Sequence, residues 1–420
     1  MKVRDLIKVW DCEKQVRELT AELIRIPSEN PPGNMHEIAT IIYDYLKKMG
    51  LATERLESKP GMLNVIGKLE AGDGPTLVLN GHMDVVPAGE RDRWSWDPFG
   101  GILHDGYVLG RGASDMKGGL AALLVALSKI TSIPDLKGNI LFMAVPDEET
   151  GGDFGTRFLL EKGYIGDAGL IAEPSGQNPT IGQKGNLWIN AIAHGASAHG
   201  SLSPLVGENA IRKMNAVIET IYSMWDEEWP LPDSAQELIE HTQRVLKADD
   251  LAVPAKVLGR VTVNVGKICG GEKVNMVPSR CKAEFDLRIP IGVPTGVVLR
   301  ELERRVQDRF PKGVKISPKT SPNEANFTAP NNPFVQRVLS VIREVTGKAS
   351  QPVLQWASSD ARFFRYRSIP TVQFGPSELE GIHGYDERVK VKDLVDAARI
   401  YTLLMHDLLA SDRTTEQKAQ

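Results

Sequence analysis

LVLNGHMDVVP, residues 77–87, decides the reading of this chain. Thr76, Leu77, Val78 and Leu79 form an apolar run that predicts a buried strand. The stretch then delivers His82 and Asp84, two residues apart. On a strand, positions i and i+2 face the same side. An imidazole and a carboxylate therefore emerge together where the strand stops. That is how a metal site can begin, the His binding a divalent ion and the carboxylate orienting the His. A hydrogen-bonded His at a strand end is the competing structural reading. Other acidic and His clusters at equivalent strand ends separate the two.

With 420 residues the chain is long enough for about two to three domains. Its composition is that of a globular protein, 41% hydrophobic and 25% charged with net charge −4. The lack of a basic excess argues against a nucleic-acid partner. No apolar run reaches the roughly 18 residues of a membrane helix, so no membrane partner is expected. MKVRDLIKVWDCEK carries charges throughout and lacks the apolar core of a signal peptide. Cys12, Cys269 and Cys281 are odd in number and far apart, which suits neither a disulfide framework nor a CxxC zinc pair. A cytoplasmic location is the expectation.

Along the chain, helices are expected over 11–26, 37–49 and 120–130, and strands over 53–56 and 64–69. A hairpin is expected around Asp105-Gly106. Arg91 to Phe99 is a loop with Trp94 and Trp96, placed to wall a pocket or to pack beneath it. GRGASDMKGG, residues 110–119, resembles a glycine-rich nucleotide loop but lacks its third glycine and any GK[ST]. It places Asp115 just before a helix, where a capping role competes with a functional one. The strand 140–145 runs straight into Asp147-Glu148-Glu149, three carboxylates that repel one another unless a cation is present. A solvated turn is the competing reading. The strand 169–172 leads into Glu173-Pro174-Ser175. Strands that repeatedly deliver charge at their C-terminal ends are the pattern of an α/β site.

From about residue 183 the texture changes to alternating strands, with His194 and His199 in HGASAHGS. Strands are expected over 259–267, 273–277 and 281–289, and helices over 209–225 and 297–310. Residues 227–254, rich in Pro, acid and polar groups, are expected to be irregular. The first texture returns with a helix over 333–346, a strand over 371–374, His383 in a Gly-rich turn and a closing helix over 391–409. The polar residues 411–420 are expected to fray. The fold class is α/β: a catalytic domain, 1–183 and 321–420, with a central, mostly parallel sheet flanked by helices. A smaller α+β domain, 184–320, is inserted into it.

GHMDVVP, GRGASDMKGG, the DEETGG run, AEPS, HGASAHGS and the late His383, taken in order, resemble the dinuclear zinc aminoacylase family. That family includes acetylornithine deacetylase, succinyl-diaminopimelate desuccinylase and glutamate carboxypeptidase. The resemblance covers nearly the whole chain. It implies two divalent metal ions, zinc first, with cobalt or manganese as alternatives. His82, Asp115 and Glu173 would hold one; Asp115, Glu149 and His383 the other, with Asp115 bridging. Glu148 would be the general base, and Asp84 would fix the ring of His82. A cis peptide at Asp115-Met116 is implied as well. His199 matches a histidine that reaches the partner subunit's active site and stabilises the oxyanion, which implies a homodimer formed through the inserted lid domain. Asn275, Arg288, Ser358 and Ser359 match substrate-binding positions, and a guanidinium suits a carboxylate. Trp356 and Ala357 stand where glycines are common, which implies a different pocket floor.

The function implied is metal-dependent hydrolysis of an N-acyl amino acid, in the manner of acetylornithine deacetylase or succinyl-diaminopimelate desuccinylase. A carboxypeptidase or dipeptidase acting on short peptides is the enzymatic alternative. A non-catalytic binding protein on the same fold would lack a ligand or the base, and every such position is filled here.

Overall fold

The computed structural model describes residues 3–410, so the expectation for the tail 411–420 lies outside it. The described residues form two compact units. One takes in the chain up to Ile181, Thr328–Pro352 and the residues from Ser359 onward; the other is Gly182–Phe327 with Val353–Ser358.

The first unit is built on a twisted sheet. Its strands run, from one edge, Ala52–Lys59, Met62–Glu70, Asn139–Val145, Thr76–His82, Ala168–Ile171 and Thr371–Gln373. Thr76–His82 is parallel to both of its neighbours, and Thr371–Gln373 continues the parallel run. The two N-terminal strands pair antiparallel. Strands buried on both faces need no alternation, and Leu77, Val78 and Leu79 are all nearly fully buried. Val78 packs with Met143, Leu159, Leu160 and Phe364. The closing helix Val391–Leu409 packs on Gly118–Ile130 and Glu13–Ile24. The parallel strands end together, which gathers their C-terminal residues at one edge, as in other open α/β sheets.

Asp115 does not cap a regular helix. Ala113–Lys117 is a wide π-type turn with non-helical backbone at Asp115 and Met116, joined by a cis peptide bond. The regular helix starts at Gly118. Glycine is required next to it: a Cβ on Gly119 would stand 2.1 Å from the carbonyl oxygen of Ala172. Closeness there seats the helix against the strand end that carries Glu173. The hairpin forms as expected, with Asp105 and Gly106 both at positive φ.

The second unit is an antiparallel sheet in the order Thr262–Gly270, Arg280–Ile289, Gly185–His194, Val314–Pro318. Along Gly185–His194, Leu187, Ile189, Ala191 and Ala193 point into a core shared with Met214, Val217 and Leu302. Those three come from the helices Ala210–Tyr222 and Thr295–Arg309. Two expectations fail here. Residues 273–277 form a turn, with Met276 N bonded to Lys273 O. Residues 227–254, expected to be irregular, contain the helix Asp233–Ala248 and the start of Ala252–Val257. Ala235, Leu238, Ile239, Thr242 and Leu246 are its buried stripe. Spacing of three and four hides in a polar segment whose flanking prolines mark its ends. No helix among the described residues is long and apolar enough to cross a membrane.

Candidate metal centre

His82 is 1% exposed and its ring is locked. Nδ1 lies 2.8 Å from the main-chain carbonyl of Asp84. A carbonyl only accepts, so Nδ1 carries a proton, which leaves Nε2 to donate as an imidazolium or to ligate a cation as a neutral ring. Nε2 faces Asp115 Oδ1 at 3.0 Å and Glu173 Oε1 at 3.8 Å. A ring nitrogen aimed at two carboxylates calls for positive charge, either a proton on the nitrogen or a cation between them. Burial disfavours charge on the ring, yet Asp115, Glu173 and Asp84 raise its pKa well above the ordinary value. The group attracts positive charge.

Asp115 offers its second oxygen to the other histidine. His383 Nε2 is 3.4 Å from Asp115 Oδ2 and 3.2 Å from Glu149 Oε1. His383 is half-exposed at the start of the turn that leads to Tyr385, and has a positive φ. Asp115 and Glu149 push its ring up to about 11. Burial would raise the Asp115 carboxyl, but His383 and His82 hold it below the usual range.

Glu148 and Glu149 occupy the one-turn helix Glu148–Thr150, directly after the Asn139–Val145 strand. Burial, with Glu173 beside it, raises Glu148 well above an ordinary glutamate. Burial and Asp115 push Glu173 up to about 8. Ligand atoms of His82, Glu148 and Glu173, and of His82, Asp115 and Glu149, lie within 4.8 Å of one another. One imidazole and four carboxylates in that space, with His383 beside Asp115 and Glu149, fit divalent ions that accept nitrogen and oxygen.

Asp84 is fully buried, and burial pushes it up to about 7. Its carboxylate lies 3.5 Å from His82 Nδ1. It accepts from Glu148 N and Glu149 N at 3.2 Å each and from Asn30 Nδ2 at 3.0 Å. The carbonyl of Asp84 orients the His82 ring, while its carboxylate anchors the acidic turn. Asn30 reaches Asp84 because Asn30 N donates to Val85 O and Val85 N donates back to Ser28 O, pairing the two segments.

Ser359, also in the first unit, is buried and accepts from Ala361 N. The other expected residues belong to the second unit. There His199 Nδ1 bonds the Ser201 hydroxyl at 2.7 Å. Asn275 adjoins it, its carbonyl accepting from Gly200 N. Arg288 is ion-paired to Asp286, and the Ser358 hydroxyl accepts from Gln183. Sequence reasoning missed Asn30, Arg111 and Glu387, all buried polar groups around the first-unit cluster. Trp94 packs rather than walls: it is 7% exposed and edge-on to Tyr385 at 6.0 Å.

The family model described as peptidase family M20/M25/M40 matches residues 78–407. Similar curated proteins include a succinyl-diaminopimelate desuccinylase of Methylorubrum extorquens, 31% identical, covering 91% of this chain and 96% of that protein. The enzyme of the same name from Paracoccus denitrificans is 29% identical over 94% and 98%. The fold is similar to that of an M20 family metallo-carboxypeptidase from Sulfolobus solfataricus, with TM-score 0.78, 21% identity and coverage of 93% and 98%. A dinuclear metal binding peptidase of the M20 family from Bacillus subtilis also aligns, with TM-score 0.65, 15% identity and coverage of 95% and 99%.

Proposed function

This chain belongs to peptidase family M20/M25/M40 and is a metal-dependent amidohydrolase, and from that premise we propose that it removes the acyl group from an N-acyl amino acid. The observation that carries the reading is Asp115, whose two oxygens face two different imidazoles inside a buried, acid-rich pocket. His82, Asp115 and Glu173 would hold one divalent ion, and Asp115, Glu149 and His383 the other. Zinc is the ion we assign first. When bound, such ions polarise the scissile carbonyl and lower the pKa of water.

The chain's own groups supply the rest. Glu148 takes a proton from the attacking water and returns it to the leaving amine. Its burial beside Glu173 suits a carboxylate that must hold a proton for part of the cycle. Asp84 keeps Glu148 and Glu149 in register through their main-chain N–H groups. In this reading His199 stabilises the oxyanion of a partner copy, and Asn275, Arg288, Ser358 and Ser359 bind the substrate's polar ends. Residues 184–320 serve as the lid and homodimerisation domain of a cytoplasmic enzyme.

The relatives' name makes N-succinyl amino acids the first substrates to try. The test is hydrolysis of a panel of N-succinyl- and N-acetyl-amino acids and dipeptides, with and without zinc, cobalt or manganese. Metal-dependent release of a free amino acid from one acyl class is the expected result. Cleavage of dipeptides alone would replace the deacylase by a peptidase. Inertness towards the whole panel with two ions bound would remove the reading.

A further inference from the structure

Asp115 and His383 lie on two segments far apart in sequence, yet their facing atoms are 3.4 Å apart. Something must hold the segments in register. Asp115 sits in the Ala113–Lys117 turn, and His383 lies in a loop at positive φ, where no regular hydrogen-bond ladder fixes it. A buried carboxylate stands between them. Glu387 is 1% exposed, four residues beyond His383. Its Oε1 accepts from Ser114 N at 2.9 Å and from Asp115 N at 3.0 Å. Its Oε2 accepts from Arg111 Nη1 at 2.6 Å, and Arg111 is 2% exposed.

Arg111 then closes the circuit. Its Nη2 donates to the carbonyl of Gly384, the residue after His383, at 2.8 Å. Its guanidinium stacks 5.1 Å from the Trp94 ring, which meets Tyr385 edge-on. The segments are also stitched by Gly110 N to Glu387 O and by the Ser114 hydroxyl to Arg388 O. The carboxylate therefore grips the amide of Asp115 itself, and its ion-pair partner grips the backbone beside His383. A buried ion pair whose Nη1 and Nη2 donors are directed at the two loops is costly to assemble and strongly directional.

We infer that Glu387, clamped by Arg111, is a positioning residue that sets the separation of Asp115 and His383, and so governs occupancy by one of two divalent ions. The inference rests on the ligand assignment proposed above. Glu387 touches neither ion nor substrate in this role. Its loss should weaken chiefly the ion that depends on His383, and less the ion that His82 and Glu173 also hold.

The test is zinc titration of metal-free protein, counting ions and their affinities, for the unsubstituted chain and for Glu387→Gln, Arg111→Gln, the double variant and His383→Ala. Gln at 387 can still accept from both amides but loses the ion pair. We expect Glu387→Gln and Arg111→Gln each to weaken one of two ions about 10- to 100-fold, with kcat falling more than KM rises. The double variant should be no worse than either single one, because both break the same clamp. Wild-type affinity for both ions in Glu387→Gln and Arg111→Gln, while His383→Ala loses an ion, would overturn the inference and leave the ligand assignment standing. Full binding of two ions by His383→Ala would sink the assignment itself. Equal weakening of both ions together with a lower melting temperature of the metal-free Glu387→Gln protein would show a merely structural role and also overturn it.

Discussion

At the scale of single residues, the centre separates groups by what each can accept. His82 is fixed by a carbonyl through Nδ1, so its outward nitrogen is the one free to meet a proton or a metal ion. Glu148 differs from Glu149 although the two are adjacent. Glu149 reaches His383, whereas Glu148 shares a pocket with His82 and Glu173, where burial raises its pKa. A carboxylate used as a base and one used as a ligand fail in different ways. Glu148→Gln should keep both ions and lose about 10²- to 10⁴-fold in kcat, the usual worth of a positioned proton carrier. Steady-state kinetics together with metal analysis checks this. An unchanged kcat with two ions bound would remove Glu148 from proton transfer. His82, Asp84, Asp115 and the paired glutamates were legible in the sequence because each follows a strand or loop signature directly. Asn30 and Glu387 were not, because their partners lie 54 and 272 residues away. Spacing along the chain carries no trace of such contacts.

At the scale of elements, apolar periodicity predicted the buried strands and most helices, and it failed where polarity was dense. Asp233–Ala248 shows its stripe of Ala235, Leu238, Ile239, Thr242 and Leu246 only when the positions are counted in threes and fours. The short helix that follows it, Ala252–Val257, is tied to the sheet of the second unit by a lysine. Lys184 Nζ donates to Val257 O at 2.8 Å, to Arg260 O at 2.7 Å and to Thr262 Oγ1 at 3.4 Å. Three acceptors favour the ammonium, but burial and the Arg288 guanidinium prevail and push Lys184 from 10.5 to about 7. Between those values the unfolded chain binds the extra proton, so this group makes stability rise with pH from about 7 to 10.5. The slope approaches about 1.4 kcal/mol per pH unit. Lys184→Met removes the titration. Urea unfolding from pH 7 to 10 should therefore show the two proteins diverging with pH, the wild type gaining. A constant difference between them would mean that the ammonium stays charged in the fold.

At the scale of the whole molecule, the proposed ions have an address. All their candidate ligands, His82, Asp115, Glu149, Glu173 and His383, belong to the first unit, on segments that are distant in sequence. An ion that binds only the folded arrangement stabilises it by mass action, by about 2.7 kcal/mol at a free concentration 100 times its Kd. The gain belongs to the loops that must come together, because they alone carry the repulsion that the ions relieve. The second unit has its own core around Leu187, Ile189, Phe285 and Leu302, and contributes none of these ligands. Chelation followed by hydrogen exchange and mass spectrometry should therefore show lost protection at residues 82–85, 112–118, 147–152, 173–175 and 381–388. The strands Gly185–His194 and Arg280–Ile289 should exchange as before. Restoring zinc should restore protection in the same peptides. Equal loss in both units would place the ions, or the energy they contribute, somewhere other than the cluster around Asp115.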